Sequence, residues 1–543
     1  MSKTEGTTQL TEHRAGNLVI GGGIAGIITA LELLEGGQSV LLIDADTPQR
    51  FGGLAIWAFG GMALAKTREQ KRMGVEDSDH LLLEDWIRFG ELQEQDHWPL
   101  AWARCYADES HELVYNWLTE LGLKFMPAVN WVERGESIKG NSVPRYHILW
   151  GTGRELVQTL IARLLHHPNA TNLTVLHQHR AEGVDFDGDK AIGCHGVDLQ
   201  TGLPFRAEAA NTIVATGGIN GSVEKVRENW PRDWHPLPDF FLNGANPLSD
   251  GAIHESVAGH GGALTHLDKM WNYAGGVPHP QAHFDGHGLA LVPPKTCLWL
   301  DPAGQQLAPE SMVNGFDTNE MCRKVVEYPY TWMVLNRKII KKELAISGAE
   351  HNPLVVNHQL VRFLLGTLFG NNWLIDKMLD ESPDFIDAGD WEELAAKMNA
   401  LTGENRIDAA ALKAVTEDYD GAMADPEKRA GHTQISRIMK AREWRTDKLR
   451  TCNLQPIGDS KAWPLIAIRL HFISRKSMGG LQTDLQCRVL NRAGQPMPGL
   501  YAVGEAAGFG GGGASGKRSL EGTFLSGCIL TARKAAAHLN SAG

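Results

Sequence analysis

Cysteine is scarce and without pattern: seven residues in 543 (Cys105, Cys194, Cys297, Cys322, Cys452, Cys487, Cys528), with no CxxC pair. Such a set forms neither a disulfide framework nor the ligand spacing of a zinc or iron–sulfur site, and it fits thiols kept reduced. Positive charge is also in short supply. The 52 lysines and arginines stand against 64 acidic residues, a net charge of -12, which excludes the basic stripe of a nucleic-acid surface. No apolar run reaches the roughly 20 residues that span a bilayer. The opening MSKTEGTTQLTEHRAG has no apolar signal core, so the expected location is the cytoplasm, with no membrane span, no metal and no nucleic-acid partner. Internal repeats and low-complexity segments are missing too. What is present is the composition of a globular protein, 43% hydrophobic and 21% charged, in a chain long enough for two or more domains.

Residues 17 to 44 read NLVIGGGIAGIITALELLEGGQSVLLID. The apolar run Leu18–Ile20 predicts a short buried strand, and the unbroken Ile27–Leu34 predicts a helix. Between them Gly21, Gly23 and Gly26 form GxGxxG. In that motif the first glycine makes the tight turn, the second lets backbone approach a pyrophosphate, and the third packs helix on strand. The helix N-terminus offers free amides and a positive dipole end to phosphate. Val40–Ile43 predicts the second strand, ending at Asp44, the place of an acid that accepts ribose hydroxyls. The pattern points to a dinucleotide.

Three further strand-to-glycine junctions choose between NAD and FAD. FGGLAIWAFGGM (51–62) follows the ribose acid with Gly52, Gly53, Gly60 and Gly61. In NTIVATGGIN (211–220) a strand Thr212–Ala215 runs into Thr216 and Gly217. PGLYAVGEAAG (498–508) carries a strand Leu500–Val503 into Gly504 and Glu505. An NAD enzyme needs only the first junction, whereas four returns from distant parts of the chain fit one extended cofactor, FAD. The stretch EGTF (521–524) before the last apolar helix adds Gly522, Thr523 and Phe524, where free amides would face the pyrimidine edge of a flavin. Thr523 serves equally as a plain helix cap. Trp57 is a candidate for packing on the isoalloxazine and equally for simple core.

Taken in order, GGGIAG (21–26), FGGLAIWAFGGM, ATGGIN (215–220), LSDGAIHESVAGHGGAL (248–264), PLIAIRLHFISRKSMGGLQTD (464–484) and PGLYAVGE resemble the flavoprotein family of fumarate reductases, succinate dehydrogenases and 3-ketosteroid 1-dehydrogenases. GNSVPRYHILWGTG (140–153) and GEAAGFGGGG (504–513) are similar to the bacterial proteins called FAD-binding dehydrogenases. The resemblance implies an α/β chain: a Rossmann-like doubly wound FAD-binding domain, discontinuous, with an inserted α+β capping domain. Composition sets the expected boundaries at 17–265 and 456–543 for the two FAD-binding parts. The span 266–455, with its aromatic and helical segments, forms the capping domain. DFDGDK (185–190) reads as a hairpin turn. In the succinate dehydrogenases of this family a histidine of the segment matching 51–62 bonds the flavin. Here Leu54 takes its place and the segment has no histidine, so FAD is expected to be non-covalent. Glu505 is expected, by resemblance and as a short acid at a strand end, to accept from cofactor hydroxyls.

The chemistry departs from the fumarate reductases. Where they carry a histidine before a TMGG turn, this chain has Lys476, preceded by Arg475. Their proton-donating arginine falls on Ser519, not on Arg518. The ketosteroid dehydrogenases resemble the region with a tyrosine whose position matches Lys517. Desaturating a carbon–carbon bond beside a carbonyl needs an enolate stabiliser, a base for the α-proton and a hydride acceptor. Lys517, Arg518 or a backbone N–H near Gly522 are candidate stabilisers, and Tyr273, Tyr330 and His471 candidate bases. A solvated Lys517 and a structural His471 are the plain alternatives. The leading expectation is therefore an FAD-dependent oxidoreductase acting on a CH–CH bond of a carbonyl compound, with an unidentified electron acceptor. An ene-reductase of the fumarate reductase kind taking an enone, a non-catalytic flavoprotein and an NAD-only dehydrogenase are the alternatives.

Overall fold

The computed structural model describes residues 10–307, 312–508 and 516–542. The strand Thr11–Ile20 lies at the centre of a parallel sheet. Val40–Asp44 and then Leu173–His177 lie on one side of it, and Pro204–Val214 and then Pro496–Ala502 on the other. The register sets Val19 opposite Leu42 and Ile213, so the short apolar runs Leu18–Ile20, Val40–Ile43 and Thr212–Val214 are buried together, as interior parallel strands are. The helices Ile24–Glu35 and Thr523–Ala542 pack on each other over this sheet. DFDGDK is the turn of an antiparallel hairpin, His179–Asp187 with Lys190–Asp198, and Gly188 takes the left-handed conformation there at φ 57°.

A second, largely antiparallel sheet is built around the strand Leu465–Ser477. Its first half pairs with Thr331–Asn336 and Phe385–Ala388, and its second half with Met270–Pro278 and the short strand Leu242–Asn243. At ~3.3 Å per residue this strand is about 40 Å long. At its end the Ser477 N–H reaches Glu505, just after the Pro496–Ala502 strand of the first sheet. The second sheet thus draws strands from both sides of 266–455: Leu242–Asn243 comes from the segment before it and Leu465–Ser477 from the segment after it. Its apolar core, with Trp299, Trp332 and Met333 fully buried, is separate from the core under the parallel sheet. All seven cysteines are free and buried. Among the described residues no helix is long and apolar enough to cross a membrane, and no cluster of side chains suits a metal ion.

Candidate active site

A long cavity runs from the glycine turn at Gly21–Gly23, between the two sheets, to the N-terminus of the Thr523–Ala542 helix. At its first end the three glycines divide the work. A Cβ on Gly26 would lie 1.9 Å from the Gly21 carbonyl oxygen, so this glycine holds the helix against the turn. A Cβ on Gly23 would meet no protein atom within 4 Å and would enter the cavity instead. No side chain caps the Ile24–Glu35 helix. Its first amides therefore remain available to an anion. Asp44 stands beside this turn, and burial, outweighing the Asp46 N–H that it accepts, pushes its carboxyl up to about 6. Thr216 and Gly217 line the same end.

Further along, Glu505 is half-buried and accepts a hydrogen bond from the Ser477 N–H at 2.9 Å; desolvation pushes its pKa up to about 7 against that bond. An acid held by one amide at the end of the Pro496–Ala502 strand keeps its second oxygen for a hydroxyl. The uncapped helix end, the space over Gly23 and these two acids fit the phosphates and polyol of an extended dinucleotide.

At the far end, side chains from three distant segments converge. Trp271 Nε1 donates to Glu521 Oε2 at 2.8 Å, and the Tyr273 hydroxyl donates to the same oxygen at 3.2 Å. Lys476 Nζ lies 3.5 Å from the Tyr273 hydroxyl and 4.1 Å from the Phe524 ring centroid. Burial pulls the ammonium of Lys476 down to about 8, although the Glu521 carboxylate works the other way. Burial, then the charge of Glu521, holds Tyr273 well above the ordinary phenol value, and the same two causes raise Tyr146. Arg475 lies 5.7 Å from the Tyr273 ring and is buried, with no hydrogen-bond partner for its Nε. Across the cavity Gly60 and Gly61 form the opposing turn; a Cβ on Gly61 would fall 1.9 Å from the Tyr146 hydroxyl. Glu133, which accepts from the Thr318 N–H and hydroxyl, also faces this end, and burial raises its pKa well above the carboxylate range.

The sequence-predicted residues divide accordingly. Gly21, Gly23, Asp44, Gly53, Gly60, Gly61, Thr216, Gly217, Tyr273, Glu505, Gly522 and Phe524 line the cavity together. Gly26, Gly52, Gly504 and Thr523 stand behind its walls. A Cβ on Gly52 would meet Val157 and one on Gly504 would meet Ala25, while the Thr523 hydroxyl is turned to the Leu520 carbonyl. Trp57 stacks flat on His283 at 5.1 Å and does not line the cavity.

Four catalytic candidates do not line the cavity. Lys517 has a side chain 62% exposed, 3.8 Å from Glu91. Arg518 is buried away from the cavity among Glu91, Asp317 and Glu320, because three carboxylates hold its guanidinium there. Tyr330 donates to Glu404. His471 packs edge-on against Phe240 beside Asp384, five residues and so about 16 Å up the strand from Lys476. The glycine run 510–513 lies outside the described residues. Sequence reasoning passed over Tyr146 and Glu133, and gave Glu521 only a place at the helix start. It noted Lys476 as a displaced cation, a signal that a buried strand end was carrying charge.

The comparisons agree with the family that the motifs suggested. A family model described as FAD binding domain matches residues 17–525. A KsdD-like steroid dehydrogenase of Mycobacterium tuberculosis is 38% identical over 539 residues, 95% of this chain and 94% of the relative. A fumarate reductase of Schizosaccharomyces pombe is 23% identical over 538 residues, 97% of this chain and 89% of the relative. The structure of 3-ketosteroid-Δ4-(5α)-dehydrogenase from Rhodococcus jostii RHA1, in complex with 4-androstene-3,17-dione, shares the fold. Its TM-score is 0.62 at 18% identity, covering 98% of each chain.

Proposed function

The chain belongs to the FAD binding domain family and is an FAD-dependent oxidoreductase; from that premise we propose that it removes hydrogen from a CH–CH bond next to a carbonyl, in a substrate of the 3-ketosteroid class. The observation that carries the reading is the convergence of Tyr273, Lys476, Glu521 and Arg475 on one wall, opposite the Gly60–Gly61 turn. The apolar lining of Ala290, Leu291, Pro293 and Met321 suits a hydrocarbon skeleton. The names of the 38% identical relatives support the steroid.

Gly23 and the amides of the Ile24–Glu35 helix would hold the FAD phosphates, Asp44 a ribose and Glu505 the polyol, with Gly60, Gly61 and Gly522 along the ring; attachment is non-covalent. Bound there, FAD supplies a two-electron acceptor for hydride. The protein's own residues handle the proton. The Tyr273 hydroxyl bridges Lys476 and Glu521, so a proton leaving a substrate α-carbon passes to a base without entering bulk water. Lys476, near 8, loses its proton close to neutrality. Arg475, buried with an unpartnered Nε, and the Tyr146 hydroxyl are placed to hydrogen-bond a carbonyl oxygen as it gains enolate charge.

The test is anaerobic mixing of the purified yellow protein with 4-androstene-3,17-dione, following loss of flavin absorbance. Wild type is expected to bleach, and Tyr273→Phe to bleach about 10²–10⁴-fold more slowly with its flavin content intact. Equal rates in the two proteins would remove Tyr273 from the mechanism. The Arg475–Lys476 pair also favours a second reading, reduction of an activated alkene. Failure of every ketosteroid to bleach the flavin, with rapid reoxidation of dithionite-reduced protein by an enone, would select it.

A further inference from the structure

The Leu360–Phe369 helix, LVRFLLGTLF, is apolar at eight of its ten positions if glycine is left out of the polar set, and none of its residues is buried. Val361 is 71% exposed and Phe369 72%; Leu360, Leu364, Leu365 and Leu368 are each close to half exposed, as is the neighbouring Trp373. A patch of this kind on a soluble surface marks something that covers it. Its surroundings say what. The chain is acidic overall, at -12, but the two helices that flank this one are basic. Arg337–Glu343 brings Lys338, Lys341 and Lys342, and Arg445–Arg450 brings Arg445, Lys448 and the half-exposed Leu449. Arg362 adds a charge on the helix itself.

The nearby acids are largely spent elsewhere: Asp376 pairs with Arg337, and Asp447 with Arg134 and Lys295. Glu443 remains exposed between the Thr433–Arg442 and Arg445–Arg450 helices. A second copy of the chain docked about a two-fold axis would set these lysines and arginines against themselves. An anionic bilayer satisfies both features, taking the apolar face into the acyl boundary and the basic rim to its headgroups.

The patch is also joined to the active-site cavity. Phe363, on the inner side of the helix, packs on Trp150 at 5.6 Å and belongs to one apolar cluster with Met126, Ile148 and Val355, against which Phe59 and Tyr146 also pack. Phe59 and Tyr146 line the cavity, as does Ser347 just upstream of the helix.

We propose that the Leu360–Phe369 helix and its basic neighbours form a docking surface for anionic lipid bilayers, seating the enzyme beside a membrane without crossing it. The surface is independent of the substrate named above, although it suits any apolar substrate or acceptor that partitions into lipid.

Flotation of the flavin-loaded enzyme with phosphatidylcholine vesicles, with and without phosphatidylglycerol, tests this. Wild type is expected to float with the phosphatidylglycerol vesicles and to lose most of that binding in high salt. The double variant Leu364→Glu, Phe369→Glu is expected to bind at least tenfold more weakly with unchanged flavin content and thermal unfolding. Lys338→Gln should weaken binding about fivefold, the value of one basic residue near such a surface. Absence of wild-type flotation, or flotation that the double variant retains, would overturn the proposal. So would a wild-type dimer in sedimentation that the variant converts to monomer, because the face would then belong to a second copy.

Discussion

Gly23 and Gly26 lie three residues apart in one motif and fail in different ways when filled. A side chain at Gly23 meets open cavity, and one at Gly26 meets the Gly21 carbonyl. Gly23→Val is therefore expected to give apoprotein within ~0.5 kcal/mol of the unchanged chain's stability, but largely colourless. Gly26→Ala should cost ~1–3 kcal/mol as an overpacked contact. Flavin absorbance per protein and thermal unfolding of the two apoproteins separate these outcomes. Lys476 offers a second test. Only its neutral amine accepts a proton, and an amine with a pKa near 8 becomes neutral as pH rises through that value. Flavin reduction by substrate should accordingly accelerate from pH 7 to pH 9 with a midpoint at about 8. Lys476→Met should flatten that profile. A wild-type rate independent of pH across this range would place the proton elsewhere.

Among the secondary elements, the segment preceding the last helix behaves unlike its sequence. Lys517 and Arg518 lie in the stretch where the resembling enzymes keep catalytic groups, yet one faces solvent and the other anchors Glu91, Asp317 and Glu320. Arg518→Ala would leave the buried Asp317, and the part-buried Glu91 and Glu320, without their cation and is expected to destabilise by about 3 kcal/mol; Lys517→Ala should stay within ~0.5 kcal/mol. Thermal unfolding of both variants is the check. The difference is not legible along the chain, because it depends on which carboxylates the Thr318–Val325 helix and the Glu91 turn bring near. What is legible is local chemistry. The strand, glycine turn, helix and acid of 17–44 are all present in the fold, since each is set by neighbours in sequence. The first strand is nonetheless longer than its apolar run. Its polar start, TEHRAG, pairs through backbone with Phe205–Ala209, and hydrophobicity carries no trace of such pairing. Likewise the sequence offers both Tyr273 and His471 as candidate bases. Both lie in the second sheet, but Tyr273 lines the cavity while His471 packs against Phe240 beside Asp384.

Over the whole molecule, the cofactor cavity lies between two sheets whose cores are separate, and its far wall is assembled from residues 146, 273, 475, 476 and 521. That explains why the nucleotide end could be read from motifs and the reactive end could not: the first is built largely on one βαβ unit, the second is a meeting of four remote segments. The Leu465–Ser477 strand is central in the second sheet and carries Arg475 and Lys476 to the cavity wall near its end. The consequence is one of inheritance. A segment transplanted from a relative between residues 266 and 455 would have to fold around its host's central strand, and it would receive the host's two cations with it. Exchange of that segment can thus refashion the shape of the chamber while Arg475 and Lys476 stay with the strand that follows it.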